Sequence, residues 1–294
     1  MSLQPDGPSV VGLGGGHGLD TTLRAVRAYA GEITGIVSVA DDGGSSGRIR
    51  DAYGLPAVGD LRRCLGALAD FDSPLAQSLE HRFGPGELDG HPVGNLLLAG
   101  LADATGDFAA AVHEVGRLLG ACGTVIPATT EPVYLSADLD DGSTVRGQVA
   151  VDHAQPIIRV RCEPVTAPAT PRALEAIARA DQLILGPGSL HTSLLAVLAV
   201  GGIADAIAAS SAPTVFVANL RAVRSTEGWD LAQHLQSLAD HGVTPDVVLV
   251  DELSHMAEGT LPEGLDLVRR PLARFDTPAH DPVQLAKALA DLVG

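Results

Sequence analysis

Lysine is almost absent. Lys287 is the only one in 294 residues, so 18 of the 19 basic side chains are arginines. A Walker A loop needs a lysine after its glycines, and Lys287 sits near the C-terminus in an ordinary amphipathic pattern, so a standard P-loop is excluded. Schiff-base chemistry on a core lysine is excluded too. Positive charge is scarce altogether: 36 acids against 19 bases leave a formal charge of -17, the wrong field for nucleic acid. An anionic ligand would have to be held locally, by backbone amides and a few arginines. Aromatic residues make up only 3% of the chain, which is poor for stacking flat ligands. Cys64, Cys122 and Cys162 are far apart and form no C-x-x-C pair. They read as buried thiols in a reducing compartment, not as a disulfide framework or zinc site. The longest apolar run, Leu194 to Ile203, is short for a bilayer and runs into Asp205. The first residues have neither a basic n-region nor an apolar h-region. A cytoplasmic protein without membrane insertion is expected.

What is plentiful is glycine, 34 residues, in a chain that is 46% hydrophobic. That suits a turn-rich α/β protein with a large core. The expected class is a Rossmann-like three-layer α/β/α fold with a mostly parallel sheet and a small antiparallel annex. We read residues 1–294 as one domain of two βαβ halves, about 1–130 and 170–294, joined by the annex.

The first half turns on Ala40-Asp41-Asp42-Gly43-Gly44-Ser45-Ser46-Gly47-Arg48, which follows the β-branched run Ile33–Val39. Glycines let backbone amides approach a ligand, and the two serines add donors. Asp41 and Asp42 suit sugar hydroxyls, a Mg²⁺ ion or a nucleophile's proton. Upstream, Ser9–Leu13 reads as a strand, Gly14-Gly15-Gly16-His17-Gly18 as its turn, and Leu19 to Ala30 as a helix. The turn does not fit G-x-G-x-x-G, because residue 17 is His, yet amides at a helix N-terminus still suit a phosphate. Downstream, Asp60 is placed to cap a helix carrying Leu61, Leu65 and Leu68 on one face. Arg62 and Arg63 in its first turn oppose the dipole, which fits either an anion or acidic partner nearby or plain surface arginines. Asn95, opening the apolar helix after His91-Pro92-Val93-Gly94, must order the loop or touch ligand.

Tyr134–Asp138 and Thr144–Val149 flank Asp140-Asp141-Gly142-Ser143, a hairpin signal, and Ile157–Arg161 adds a third strand. The parallel pattern then resumes with Gln182–Leu185, the turn Gly186-Pro187-Gly188-Ser189-Leu190-His191-Thr192-Ser193 and a helix Leu194 to Val200. Thr214–Ala218 is a strand ending at Asn219. Thr226-Glu227-Gly228-Trp229 is a lid or base pocket before the helix Leu231 to His241. Val247–Val250 closes the sheet with Asp251, and a helix over Pro282–Val293 ends the chain.

Five of these segments occur in this order in a known family. Gly14 to Leu19, Asp41 to Arg48, Gly59-Asp60-Leu61-Arg62, His91 to Asn95 and Gly188 to Ser193 together resemble the YvcK-like gluconeogenesis factors. Those share a superfamily with the 2-phospho-L-lactate transferases. The resemblance departs at His17, where the family has Thr, and at Ser225, where it has Glu. It implies a nucleotide site for UDP-sugars such as UDP-N-acetylglucosamine, and a role in cell shape and wall synthesis during gluconeogenic growth. It also implies protein partners in wall regulation. A homo-oligomer is expected. The residues expected at the ligand are Gly14, Gly15, Gly16, His17, Gly18, Asp41, Asp42, Gly43, Gly44, Ser45, Ser46, Arg62, Asn95, Gly188, Ser189, Leu190, Thr192, Ser193, Asn219 and Thr226. No catalytic residue is assigned, unless the protein is a phosphotransferase using Asp41 and Asp42. A serine hydrolase is the weaker reading of Gly43-Gly44-Ser45-Ser46-Gly47, since two carboxylates just before the serines would repel an oxyanion. An NAD-dependent dehydrogenase is disfavoured by the failed fingerprint.

Overall fold

A computed structural model describes residues 3–254, 261, 264–275, 277 and 279–293. Ten strands are β1 Ser9–Gly14, β2 Glu32–Val37, β3 Thr124–Pro127, β4 Tyr134–Leu139, β5 Thr144–Arg146, β6 Ile157–Glu163, β7 Gln182–Leu185, β8 Thr214–Val217, β9 Val247–Asp251 and β10 Asp266–Arg270. The helices of the first half are α1 Gly16–Val26, α2 Gly44–Tyr53, α3 Gly59–Leu68, α4 Pro74–Ser78, α5 Val93–Thr105 and α6 Phe108–Leu118. Those that follow are α7 Gln148–His153, α8 Pro171–Arg179, α9 Leu195–Leu198, α10 Ile203–Ala209, α11 Leu231–Asp240 and α12 Pro282–Ala290.

Seven strands form one parallel sheet in the order β10-β9-β8-β7-β1-β2-β3. Strands that are parallel and covered by helices on both faces need no polar side, and β1, β2, β7 and β8 are accordingly near-continuous apolar runs. The chain moves outward from β1 to β2 and β3, then returns to the other side of β1 and moves outward again through β10. Right-handed crossovers place the helices that follow β1 and those that follow β7 on opposite faces, while α12, at the end of the second half, packs against α1. The core is shared: Leu13, Leu19, Leu23, Ile36, Leu61 and Leu65 are all 1% exposed or less.

The antiparallel annex is also present, as a three-stranded sheet in the order β5-β4-β6. The hairpin turn has Gly142 at φ 81°, a left-handed conformation that glycine adopts without strain.

Several boundaries differ from the sequence reading. Helix α1 begins at Gly16, so the last three residues of the glycine turn are its first turn, and it ends at Val26. Ser45 and Ser46 stand in the first turn of α2, not in an open loop. Val58, not Asp60, is the N-cap of α3. Residues 190–194 wind as a π-turn before α9. Residues 148–149 open α7 and do not extend the hairpin. Strand β9 is not the edge, because β10 pairs beyond it. Cys122 is only half-buried, whereas Cys64 and Cys162 are buried. Among the described residues, no helix is long and apolar enough to cross a membrane.

Candidate functional site

The strand order reverses between β1 and β7, and in open parallel sheets ligands bind in the crevice at such a switch point, beyond the carboxyl ends of the strands. Both glycine turns of the sequence reading emerge there. They touch. A Cβ on Gly18 would overlap the carbonyl oxygen of Pro187, and the Cα of Gly18 lies 3.7 Å from where a Cβ of Gly188 would stand. A Cβ on Gly15 would come 3.6 Å from the Cβ of Ser193. Glycine at 18 is needed because a side chain there would block the close approach of the two backbones.

Each turn is held from below. Asn219, at the tip of β8, accepts from the Gly188 amide at 2.7 Å and donates to the Gly188 carbonyl at 2.6 Å. It therefore orders the second turn with both ends of its amide. The Ser189 hydroxyl accepts from the Thr192 amide at 3.3 Å, capping the π-turn. Beneath the first turn lies Asp60. Its carboxylate accepts from the Gly16 amide, and its Oδ2 would be 2.5 Å from a Cβ on Gly15. One donor of the α1 N-terminus is thus taken by the protein itself. The amides of His17 and Gly18, in the same first turn, have no intrahelical acceptor.

Asp41 and Asp42 part company. Asp41 faces the crevice: its Oδ1 accepts from the Gly43 amide at 2.9 Å, and its Oδ2 would be 3.2 Å from a Cβ on Gly59. The Ser46 hydroxyl also packs against Gly59. Asp42 turns outward and accepts from the Val149 amide at 3.0 Å, at the start of α7. A carboxylate at a helix N-terminus is favourably placed against the dipole, so Asp42 fastens the annex to the rim.

Burial raises the carboxyl of Asp60 to about 6, helped by the neighbouring Asp41 charge and opposed by Arg63. The Asp60 side chain is 20% exposed, with Arg63 Nη1 3.7 Å from its Oδ1. A carboxylate with this poise can exchange a proton near neutral pH or join Asp41 on a cation. Sequence reasoning saw Asp60 only as a helix cap. The available signal was the spacing Gly59-Asp60 after the Asp41 turn.

Other expected ligand residues are engaged with protein. Arg62 is 2% exposed and Asn95 1%. Arg62 donates from Nε to Glu80 Oε1 at 2.9 Å and from Nη1 to Asn95 Oδ1 at 2.8 Å. Asn95 donates in turn to Ser45 Oγ at 3.0 Å, and Ser45 meets His91 Nδ1 at 2.8 Å. This chain ties α3, α5 and α2 together behind the crevice, and its acidic end, Glu80, answers Arg62, while Arg63 pairs with Asp60. Leu190 and Thr226 are buried to 2% or less. The half-buried Trp229 ring stands edge-on between His191, at 5.1 Å, and His234, at 5.7 Å. His17 is exposed on α1 and lines a cleft of about 380 Å³ with Arg63 and Glu80. Gly14 ends β1 and is buried, Gly43 and Gly44 open α2, and Thr192 is buried within the π-turn. Among the described residues, no group of three or more His, Cys, Asp or Glu side chains is arranged to hold a metal ion.

The family profile described as 2-phospho-L-lactate transferase CofD matches residues 10–269, nearly the whole sheet and both turns. The chain belongs to the CofD family. Within it, similar proteins carry a second description. A gluconeogenesis factor of Bacillus subtilis is 35% identical over 97% of this chain and 98% of its own length. One from Halalkalibacterium halodurans is 41% identical, covering 83% and 78%. A Nostoc relative is 45% identical over 79% of this chain, which spans about half (52%) of that protein's length. The crystal structure of a UPF0052 family member from Bacillus halodurans superposes with a TM-score of 0.89 at 35% identity, covering 97% of this chain and 99% of that one. This CofD-family chain thus shares its Rossmann-like fold with that structure over 97% of its length.

Proposed function

We propose that the chain binds a nucleotide-sugar diphosphate, a UDP-sugar such as UDP-N-acetylglucosamine, across the switch-point crevice. It acts there as a regulatory factor for cell shape during gluconeogenic growth, without turnover. The observation that carries this reading is the contact between Gly18 and Pro187–Gly188, which joins two helix-opening turns into one amide-lined wall. Such a wall reads phosphates by backbone N–H groups and partial helix charge, and needs no lysine. In this reading the His17 and Gly18 amides and the 189–193 turn hold the diphosphate, while Asp41 takes sugar hydroxyls. The relatives' description as gluconeogenesis factors supports the physiological side.

Thermal unfolding in UDP-N-acetylglucosamine tests it. At a hundredfold excess over Kd the ligand adds about 2.7 kcal/mol to the folded state. Ser193→Ala, beside Gly15, weakens the shift while leaving the unliganded melting point in place. A melting point that no uridine nucleotide moves removes the proposal.

One observation favours a second reading, a phosphotransferase. Asp41 and Asp60 are adjacent carboxylates, and Asp60 is poised at about 6. The pair fits a Mg²⁺ ion, which takes one or two carboxylates and completes its shell with substrate phosphates and water. That ion would supply charge neutralisation at a transferring phosphoryl group. Asp60 would then accept the proton of an acceptor hydroxyl. Product formed from a lactyl nucleoside diphosphate and a deazaflavin acceptor, and lost in Asp60→Asn, would establish it over the non-catalytic reading.

A further inference from the structure

Three cations gather on one apolar groove. It lies on the surface where the end of α1 and the turn after it pack beside α12, and it has a volume of about 620 Å³. Its lining includes Arg24, Arg27 and Lys287 and not one acid. In a chain of 36 acids and 19 bases, with a single lysine, this is a local reversal of the prevailing charge. Arg24 is answered by Asp20, to which its Nε and Nη2 donate at 3.0 Å. Arg27 meets only carbonyls: its Nη1 donates to Ala67 at 2.7 Å and to Ala69 at 3.2 Å. Lys287 is exposed, and among the described residues no carboxylate pairs with it or with Arg27.

The rest of the groove is apolar. Ala28, Ala286 and Ala290 line it with side chains too small to fill it, and Phe71 and Val283 line it while 49% and 62% exposed. Arg24 and Arg27 both lie over the Phe71 ring, 5.2 and 4.6 Å from its centroid, which fixes the ring beside the groove. A cation in the last turn of a helix complements its dipole. That accounts for Arg24 and Lys287, but not for an exposed phenyl ring and valine beside them, nor for the want of acids. The volume falls within the range of small-molecule sites, about 300–1,000 Å³. Two large exposed apolar side chains are too few for the apolar centre of a stable protein contact, which engages about 20–30 residues a side.

We propose that this groove binds a small amphiphilic anion, an aliphatic chain bearing one carboxylate head. The chain covers the alanines between Phe71 and Val283, where apolar surface is removed from water. The head is drawn to Lys287, a flexible point charge with three donors, and to the uncompensated charge of Arg27. The groove is at the other end of α1 from the glycine wall and shares no residue with it, so the assignment goes beyond the nucleotide reading and does not rest on it.

The experiment is methyl NMR of the full chain, labelled at alanine and valine and titrated with decanoate below its micelle threshold. Butyrate and decyltrimethylammonium are titrated separately. Decanoate is expected to shift the Ala28, Ala290 and Val283 methyls saturably, with butyrate, which lacks the tail, at least about tenfold weaker. The cation with the same tail should also bind more weakly than decanoate. Lys287→Gln, at an exposed position, should weaken decanoate about threefold, as loss of an exposed ion pair does. Val283→Glu, also exposed, should abolish the alanine shifts, and both variants should keep the parent's melting point. Methyls that decanoate leaves in place overturn the site, as does butyrate or decyltrimethylammonium binding as tightly as decanoate, or a Lys287→Gln variant with the parent's affinity. Shifts that grow with protein concentration alone give the groove to a second copy of the chain. Shifts produced by an acidic amphipathic peptide and not by decanoate give it to a partner's helix. Either result overturns the proposal. Melting in UDP-N-acetylglucosamine reads the opposite end of α1, so this site and the nucleotide reading can each fail alone.

Discussion

At Asp60 three neighbours act on one carboxyl. Burial and Asp41 raise it to about 6, while Arg63 and the Gly16 amide pull the other way without prevailing. A carboxyl raised in the fold binds its proton more tightly folded than unfolded, so this group's contribution to stability falls as pH rises from the ordinary carboxylate value through 6. Asp60→Asn removes the ionisation and keeps an acceptor for Gly16. The variant should be more stable than the parent by about 1–3 kcal/mol at pH 7.5, with the gain vanishing below about pH 4; urea unfolding at both pH values checks it. Asn95 is the opposite case, a neutral side chain between partners that need it. Truncation to Ala leaves Arg62 and Ser45 short of partners in the interior, so Asn95→Ala should cost about 2–4 kcal/mol in urea unfolding. A loss under about 1 kcal/mol would mean water replaces the amide.

At the scale of elements, the 190–194 turn, the short 3₁₀ segment Arg224–Thr226 and α11 are held together by aromatic edges. His191 is fully buried with both ring nitrogens unpartnered, and Trp229 stands between it and His234. Burial, with the neighbouring His234 and His241, pushes His191 down to about 4, and burial also lowers His234. A histidine depressed in the fold binds fewer protons than in the unfolded chain between its two values. Stability from this packing is therefore present above about pH 6.5 and is lost as pH falls towards 4. Trp229 is the only tryptophan, so its emission should shift to the red over that window, before global unfolding by circular dichroism. In His191→Phe the shift should move to lower pH or disappear.

Element by element, legibility followed burial. Strands β1, β2, β7, β8 and β9 were readable because strands buried on both faces are continuous apolar runs bounded by turns. The short β3, Thr124–Pro127, carries too little signal, and β10, Asp266–Arg270, is a half-exposed edge with charges at both ends. Helix starts were misplaced where glycine, a turn former in isolation, opens a helix, as at Gly16, Gly44 and Gly59.

For the molecule as a whole, the excess of acids is a field that the fold must contain. With 36 acids and 19 bases, mutual repulsion opposes compaction, and salt screens it. The melting point should rise by a few degrees between about 20 and 300 mM NaCl at pH 7.5; a flat or falling curve would show that local ion pairs already balance the charge. Addition of phosphate should exceed this general effect at equal ionic strength if the glycine wall holds an anion.

The sequence by itself determined the parallel α/β class, the annex, the exclusion of a lysine-dependent phosphate loop and the two glycine-rich strand tips. These depend on local periodicity and on residues that are present or missing, and so survive without coordinates. Only the tertiary structure decided which polar residues face the crevice. Asp41 and Asp42 are neighbours in sequence, yet one lines the crevice and the other caps α7. Arg62 and Asn95, 33 positions apart, satisfy each other, while the Nε and Nη1 of Arg50 have no hydrogen-bond partner. Hydrogen bonds and charge pairs are made across the fold between segments distant in the chain, and no local pattern records which partner a side chain will meet.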